Sequence, residues 1–127
     1  MKEFPIEKFD WGKFVVDGVE HSKNYGLRKG QGKDLKIVGR NVESWKERRG
    51  HIVTKDMVNS VLKEKIDVLV IGTGFDGTLK VPKSVKNYLV ENGVSEVIIK
   101  KTPDACNCYN KLYRQQRNVG LLVHGTC

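Results

Sequence analysis

The chain has 127 residues, 39% of them apolar, and carries 23 Lys and Arg against 15 Asp and Glu for a formal net charge of +8. That length and apolar fraction suit one compact domain over residues 1–127, and no run approaches the roughly 18 apolar residues of a membrane span. The positive balance favours solubility and makes acidic partners or nucleic acid worth weighing. The opening MKEFPIEKFDWG has acidic residues and no continuous apolar segment, so a secretory leader is not expected and a cytoplasmic location is. Three cysteines, Cys106, Cys108 and Cys127, are too few for a disulfide framework, which suits a reducing compartment.

The first fifty residues read as short strands and turns. FPIEKFDWGKFVV predicts one or two strands around a turn at Trp11 and Gly12, DLKIV predicts another, and Gly26, Gly30, Gly32 and Gly39 break the rest into pieces. From Thr54 the pattern becomes regular. Thr54 caps a predicted helix TKDMVNSVLKEK with Met57, Val58, Val61 and Leu62 on one stripe, and IDVLVIG follows as a buried strand. Pro82 opens a second helix with Val85, Tyr88 and Leu89 inward and Gly93 at its stop, before the strand SEVIIK. Thr102 and Pro103 read as N-cap and first residue of a third helix through TPDACNCYNKLYRQQ, and VGLLVHG is the last strand. Strands alternating with helices of this length imply right-handed crossovers and a parallel βαβαβ unit, with the N-terminal strands added to its edge or laid over one face.

Gly72, Gly74 and Gly77 in VLVIGTGFDG have the spacing of a dinucleotide fingerprint. Such a site needs a helix starting inside the motif and an acid some 20 residues on. Here TLKV follows, Pro82 places the helix late, and SEVIIKKT ends in Lys100 and Lys101. A tight exit from a buried strand explains the glycines better, and no cofactor is expected.

If the three strands are parallel, their C-terminal ends share one edge, where open sheets form ligand crevices. That edge gathers Gly72, Thr73, Gly74 and Gly77, then Lys101 and Thr102, then His124, Thr126 and Cys127, a candidate site for a small ligand or anion. Cys106 and Cys108 look like a metal pair, but residues two apart on a helix point about 200° apart around its axis. With Ala105, Cys108, Tyr109 and Leu112 as the apolar stripe, Cys108 belongs to the core and Cys106 to the surface, and no metal site is expected. His124 and Cys127 could pair as base and nucleophile, but a structural role closing the sheet edge is the simpler reading.

Residues 23–49 hold nine Lys or Arg against three acids, with only Tyr25 and Trp45 as stacking platforms, so a solvated basic face is favoured over RNA binding. Within that stretch SWKERRGH sets Trp45, Arg48, Arg49 and His51 ahead of the first helix, either as an exposed recognition patch or as a packed Trp under an Arg lid.

The Trp-Arg-Gly-His stretch, VLVIGTG, the helix with Tyr109, Asn110 and Leu112, and the closing HGTC together resemble the Mth-domain family, found in an adipogenesis-associated vertebrate protein and in a mitochondrial assembly factor of respiratory complex I. The resemblance implies an α/β domain in three layers, a central mixed sheet with an added antiparallel β layer. It also implies no established enzymatic activity and action through protein partners. Relatives carry a tighter Trp-x-Trp-Arg pattern where this chain has Trp45, Lys46, Glu47 and Arg48. The first expectation is therefore a non-enzymatic interaction or assembly domain with an unidentified protein partner; a ligand-binding protein or enzyme at the sheet edge comes second, and RNA binding third.

Overall fold

The computed structural model describes residues 4–127. Four strands form an antiparallel sheet in sequential order: β1 (Ile6–Asp10), β2 (Lys13–Val16), β3 (Val19–Asn24) and β4 (Leu27–Lys29). Asp17 and Gly18 close the β2–β3 hairpin at φ 47° and 81°, the positive values that match the twist of the flanking strands. The next two strands, β5 (Leu35–Val38) and β6 (Asn41–Ser44), leave that sheet for a second one.

The second sheet has the order β6-β5-β9-β7-β8, with β7 (Val68–Gly72) parallel to both β8 (Glu96–Lys100) and β9 (Val119–Val123) and β5 antiparallel to β9. Progress across the sheet thus reverses at β8: the crossover to β8 runs one way from β7, and the crossover to β9 passes back over β7. Right-handed connections therefore put α2 (Lys83–Glu91) and α3 (Thr102–Arg114) on opposite faces.

Two cores follow from the alternation along β7. Leu69 and Ile71 pack with Trp45, Val58, Val85 and Leu89 on the α2 side, whereas Val68 and Val70 pack with Phe14, Leu35, Ala105 and Tyr109 on the α3 side. Each Val, Leu, Ile or Phe among them, fully buried, contributes roughly 1.5–3 kcal/mol. The antiparallel sheet joins α3 in covering the second face, and Asn110 fastens it: its side chain accepts from Ile6 N at 3.1 Å and donates to Ile6 O at 2.9 Å. The architecture is the expected three-layer α/β domain. The N-terminal strands do both things foreseen for them, β5 and β6 extending the edge and β1–β4 covering a face.

Three local readings are corrected. The helix expected over 54–65 is one α turn, α1 (Lys55–Val58), followed by a 3-10 helix over Asn59–Glu64, and Thr54 makes no side-chain cap. The ladder tightens where the Trp45 indole N–H donates to Met57 O at 2.7 Å, because a side chain inserted on a helical carbonyl displaces the α-type bond. Lys101, not Thr102, is the N-cap of α3, and Thr102 turns inward with no accessible surface. That rotation of the helix carries Cys106, four residues on, to the core face with Ala105 and Tyr109 and leaves Cys108 half-buried, the reverse of the expected pair. Burial pushes the Cys106 thiol pKa strongly upward, so it is an inert core residue.

Trp45 is 1% exposed. Replacing it with Ala is expected to lower the unfolding free energy by about 4 kcal/mol, read from urea denaturation, while Arg49→Ala at the surface changes it by less than about 0.5 kcal/mol.

Candidate functional site at the sheet edge

Beyond β9 the chain runs on through His124–Cys127 alongside the loop that leaves β7. His124 N donates to Gly72 O at 3.0 Å, Phe75 N to Thr126 O at 2.6 Å, and Asp76 N and Thr78 N both to Cys127 O at 3.1 Å. This pairing is what the glycines serve. Gly74 sits at φ 101°, where a Cβ would overlap the Cys127 backbone, and a Cβ on Gly72 would lie 2.7 Å from Val123 Cγ2. The turn reading holds, and no helix begins within the motif.

Other bonds use up the amides considered for an anion. Gly74 N donates to Thr102 Oγ1 at 2.9 Å, Thr73 N to Lys100 O at 2.9 Å and Gly77 N to Gly74 O at 3.2 Å. Thr102 Oγ1 in turn donates to His124 O at 2.6 Å. One buried hydroxyl thus ties the ends of β7 and β9 to the start of α3, closing the crevice that strands diverging to opposite faces would leave. Lys101 stays exposed beside Gly77.

Chemistry gathers instead around Asp34, just before β5, a residue that no spacing in the sequence singles out. Its carboxylate lies 2.8 Å from His124 Nδ1 and accepts from Gly125 N at 3.1 Å and from Arg48 Nε at 2.9 Å, with Lys33 Nζ 3.3 Å away. Burial opposes its charge, but the bonds from His124, Gly125 and Arg48, with Lys33 nearby, outweigh that and hold its pKa far below the ordinary carboxylate value. His124, 2% exposed, turns its other nitrogen outward. Nε2 is 3.5 Å from Cys127 Sγ and 3.3 Å from Thr126 Oγ1, and His51 Nε2 approaches the same sulfur at 3.4 Å.

His51, foreseen on the recognition patch, therefore belongs with His124 and Cys127, foreseen at the sheet edge. Of the two readings of that stretch Trp45 takes the packed one, its indole filling the α2-side cluster, which corrects its place on the candidate partner surface. Arg48 spans the two, donating to Asp34 and, through Nη1, to Gly50 O at 2.7 Å, while Arg49 is exposed and outside the cluster. Five of the nine basic residues in 23–49 form ion pairs within the fold. Lys29 pairs with Glu20, Lys33 and Arg48 with Asp34, Lys36 with Glu43 and Glu64, and Arg40 with Asp17.

The sequence model of a family described as a protein of unknown function (DUF498/DUF598) matches residues 6–124. The chain belongs to this family. Among solved structures, a conserved hypothetical protein of Pyrococcus horikoshii is similar over 100% of both chains at 25% identity, with a TM-score of 0.77. A Bartonella henselae protein described as an outer membrane protein matches at 23% identity over 98% of this chain and 96% of its own, TM-score 0.75. A Mth938-like domain of Bordetella pertussis matches at 16% identity over 97% and 86%, TM-score 0.64.

The Mth-domain resemblance is thus established, and the DUF498/DUF598 fold is that of this chain. In this family member no helix among the described residues is long and apolar enough to cross a membrane.

Because the Asp34 pKa is depressed by folding, its contribution to stability is complete above the ordinary carboxylate pKa and is lost as pH falls through and below that value. Asp34→Asn is expected to cost about 3 kcal/mol near neutrality and to flatten the acid limb of stability against pH, followed by thermal melts between pH 7 and pH 3.

Proposed function

We propose that the protein works through the sheet-edge site as a thiol-dependent binding protein or enzyme for a small molecule, with Cys127 as the group that meets the ligand. One observation carries this: Asp34 Oδ1, His124 and Cys127 Sγ form a relay with steps of 2.8 Å and 3.5 Å. An ionised carboxylate only accepts, so His124 Nδ1 carries the proton and Nε2 keeps its lone pair facing the thiol. When a soft electrophile carrying a leaving group meets Sγ, the S–H proton passes to Nε2, the sulfur pair forms the new carbon–sulfur bond, the leaving group departs with its electron pair, and the imidazolium is held against Asp34. Nucleophile, base and orienting group are all present. The amides of Thr73, Gly74 and Gly77 are engaged elsewhere, so that turn offers no donor pair to an oxyanion, and acyl transfer is disfavoured there.

Trp11 and Phe75, with ring centroids 6.0 Å apart, stand on segments bonded to the same tail through Gly12 N to Gly125 O at 2.6 Å and Phe75 N to Thr126 O at 2.6 Å. At pH 7 we expect iodoacetamide to label Cys127 at least about tenfold faster in the wild type than in His124→Gln, as a general base requires. Peptide mass spectrometry resolves Cys127 from Cys106 and Cys108, and equal rates in the two proteins would reject the relay.

A protein-partner role, the one the resemblance implies, has a separate support. Tyr25 and Leu27 on the β3–β4 hairpin are 103% and 76% exposed, more than a free surface needs. Under this reading a Tyr25→Ala, Leu27→Ala double variant loses a stoichiometric protein that the wild type recovers by affinity capture. The ion pairs within residues 23–49 leave RNA binding the least supported of the three.

A further inference from the structure

His51 has no part in the relay, yet it is held in place against the same sulfur. We infer that His51 Nε2, His124 Nε2 and Cys127 Sγ form a binding site for one divalent metal ion of the zinc class, with its fourth position open to solvent or ligand.

The three ligand atoms all lie within 4.8 Å of one another. Zn–S and Zn–N bonds of about 2.3 Å and 2.0–2.1 Å at a tetrahedral angle put sulfur about 3.5 Å from each nitrogen. The two imidazoles stand at 3.4 Å and 3.5 Å. The sulfur thus already stands at the separation from each nitrogen that a shared ion requires.

Each ligand is also positioned from behind. Asp34 holds His124 Nδ1, fixing the ring and leaving Nε2 as the donor, the arrangement by which carboxylates commonly orient metal-bound histidines. His51 is steadied through its backbone, since Lys80 N donates to His51 O at 2.8 Å and Arg48 Nη1 holds Gly50 O at 2.7 Å. Cys127 O accepts from Asp76 N and Thr78 N, so the segment that carries the thiol is anchored independently of the sulfur.

Ligand type sets the class of ion. One thiolate and two imidazoles suit zinc and its neighbours and are poorly matched to magnesium or calcium, which prefer oxygen. Copper sites built on two histidines and a cysteine usually add an axial thioether, but Met57 is buried in the α2-side core with Trp45. His124 is buried, Cys127 half-buried and His51 exposed, so the coordination sphere opens outward. Three protein ligands with an open position is the pattern of zinc sites that exchange a ligand. Binding replaces the S–H bond with a metal–sulfur bond and releases one proton to solvent; no electron changes hands.

The inference rests on the same site as the thiol reading, and the two can fail separately. Titration of metal-free protein with Co²⁺ should saturate at one ion per chain, with thiolate-to-cobalt absorption in the near ultraviolet and tetrahedral bands in the visible, both bleached by Zn²⁺. Cys127→Ser should remove the near-ultraviolet band while keeping the wild-type circular dichroism. His51→Gln should weaken Co²⁺ binding at least about tenfold, by loss of one of three ligands, and Asp34→Asn about 10- to 100-fold. Absence of saturable Co²⁺ binding, or the same spectrum from Cys127→Ser, overturns the metal site. If iodoacetamide labelling still depends on His124 in that case, the thiol reading stands alone; if Zn²⁺ shields Cys127 but His124→Gln labels as fast as wild type, the metal site stands and the relay falls.

Discussion

The histidine–thiol cluster at the sheet edge depends on one largely buried carboxylate. Asp34 takes hydrogen bonds from His124, Gly125 and Arg48, and its backbone carbonyl accepts from Trp45 N at 2.8 Å. A single residue therefore joins the start of β5, the end of β9 and the segment between β6 and α1. A buried charge is tolerable only when its lone pairs are filled, and here the partners that fill them are the groups that build the site. Stability and site geometry are consequently the same set of bonds, so no substitution at Asp34 can alter one without the other.

The layered fold was legible because its signals are local and repeated. Strands β7, β8 and β9 read as apolar runs, Gly93 as a helix stop and the Trp11–Gly12 turn as a hairpin, each from a few adjacent residues. What failed were rotations and breaks imposed by tertiary partners. Thr102 has the chemistry of an N-cap, but its hydroxyl found a better-placed acceptor on His124 O, and the whole α3 stripe turned with it, exchanging the roles of Cys106 and Cys108. Periodicity finds a stripe; it does not choose between two that overlap. The short α1 fell for a related reason, an indole from outside the helix occupying one of its carbonyls.

The site was half legible. His124, Cys127 and the glycines could be placed at one edge by topology alone, because parallel strands end together. Asp34 and His51 could not, since they arrive from an antiparallel strand and a loop that no motif ties to the edge. Searching for metal ligands by short spacing misses a set drawn from positions 51, 124 and 127. The amides offered to an anion were a reasonable reading of a glycine turn, and Lys100 O, Thr102 Oγ1 and Gly74 O took them first. Membership of the DUF498/DUF598 family supplies the fold and leaves the chemistry to be argued from these side chains.

The antiparallel sheet is made of hairpins whose partners are a few residues apart, so it can form as soon as those residues exist. The pairing of β5 with β9 is of another kind, joining Leu35 to Val123 across most of the chain. Closing so long a loop costs entropy before any contact repays it. Asp34 and His124 meet only across that closure. The contact between Asp34 and His124 therefore reports on closure of the whole second sheet, since it exists only once β9 has paired with β5.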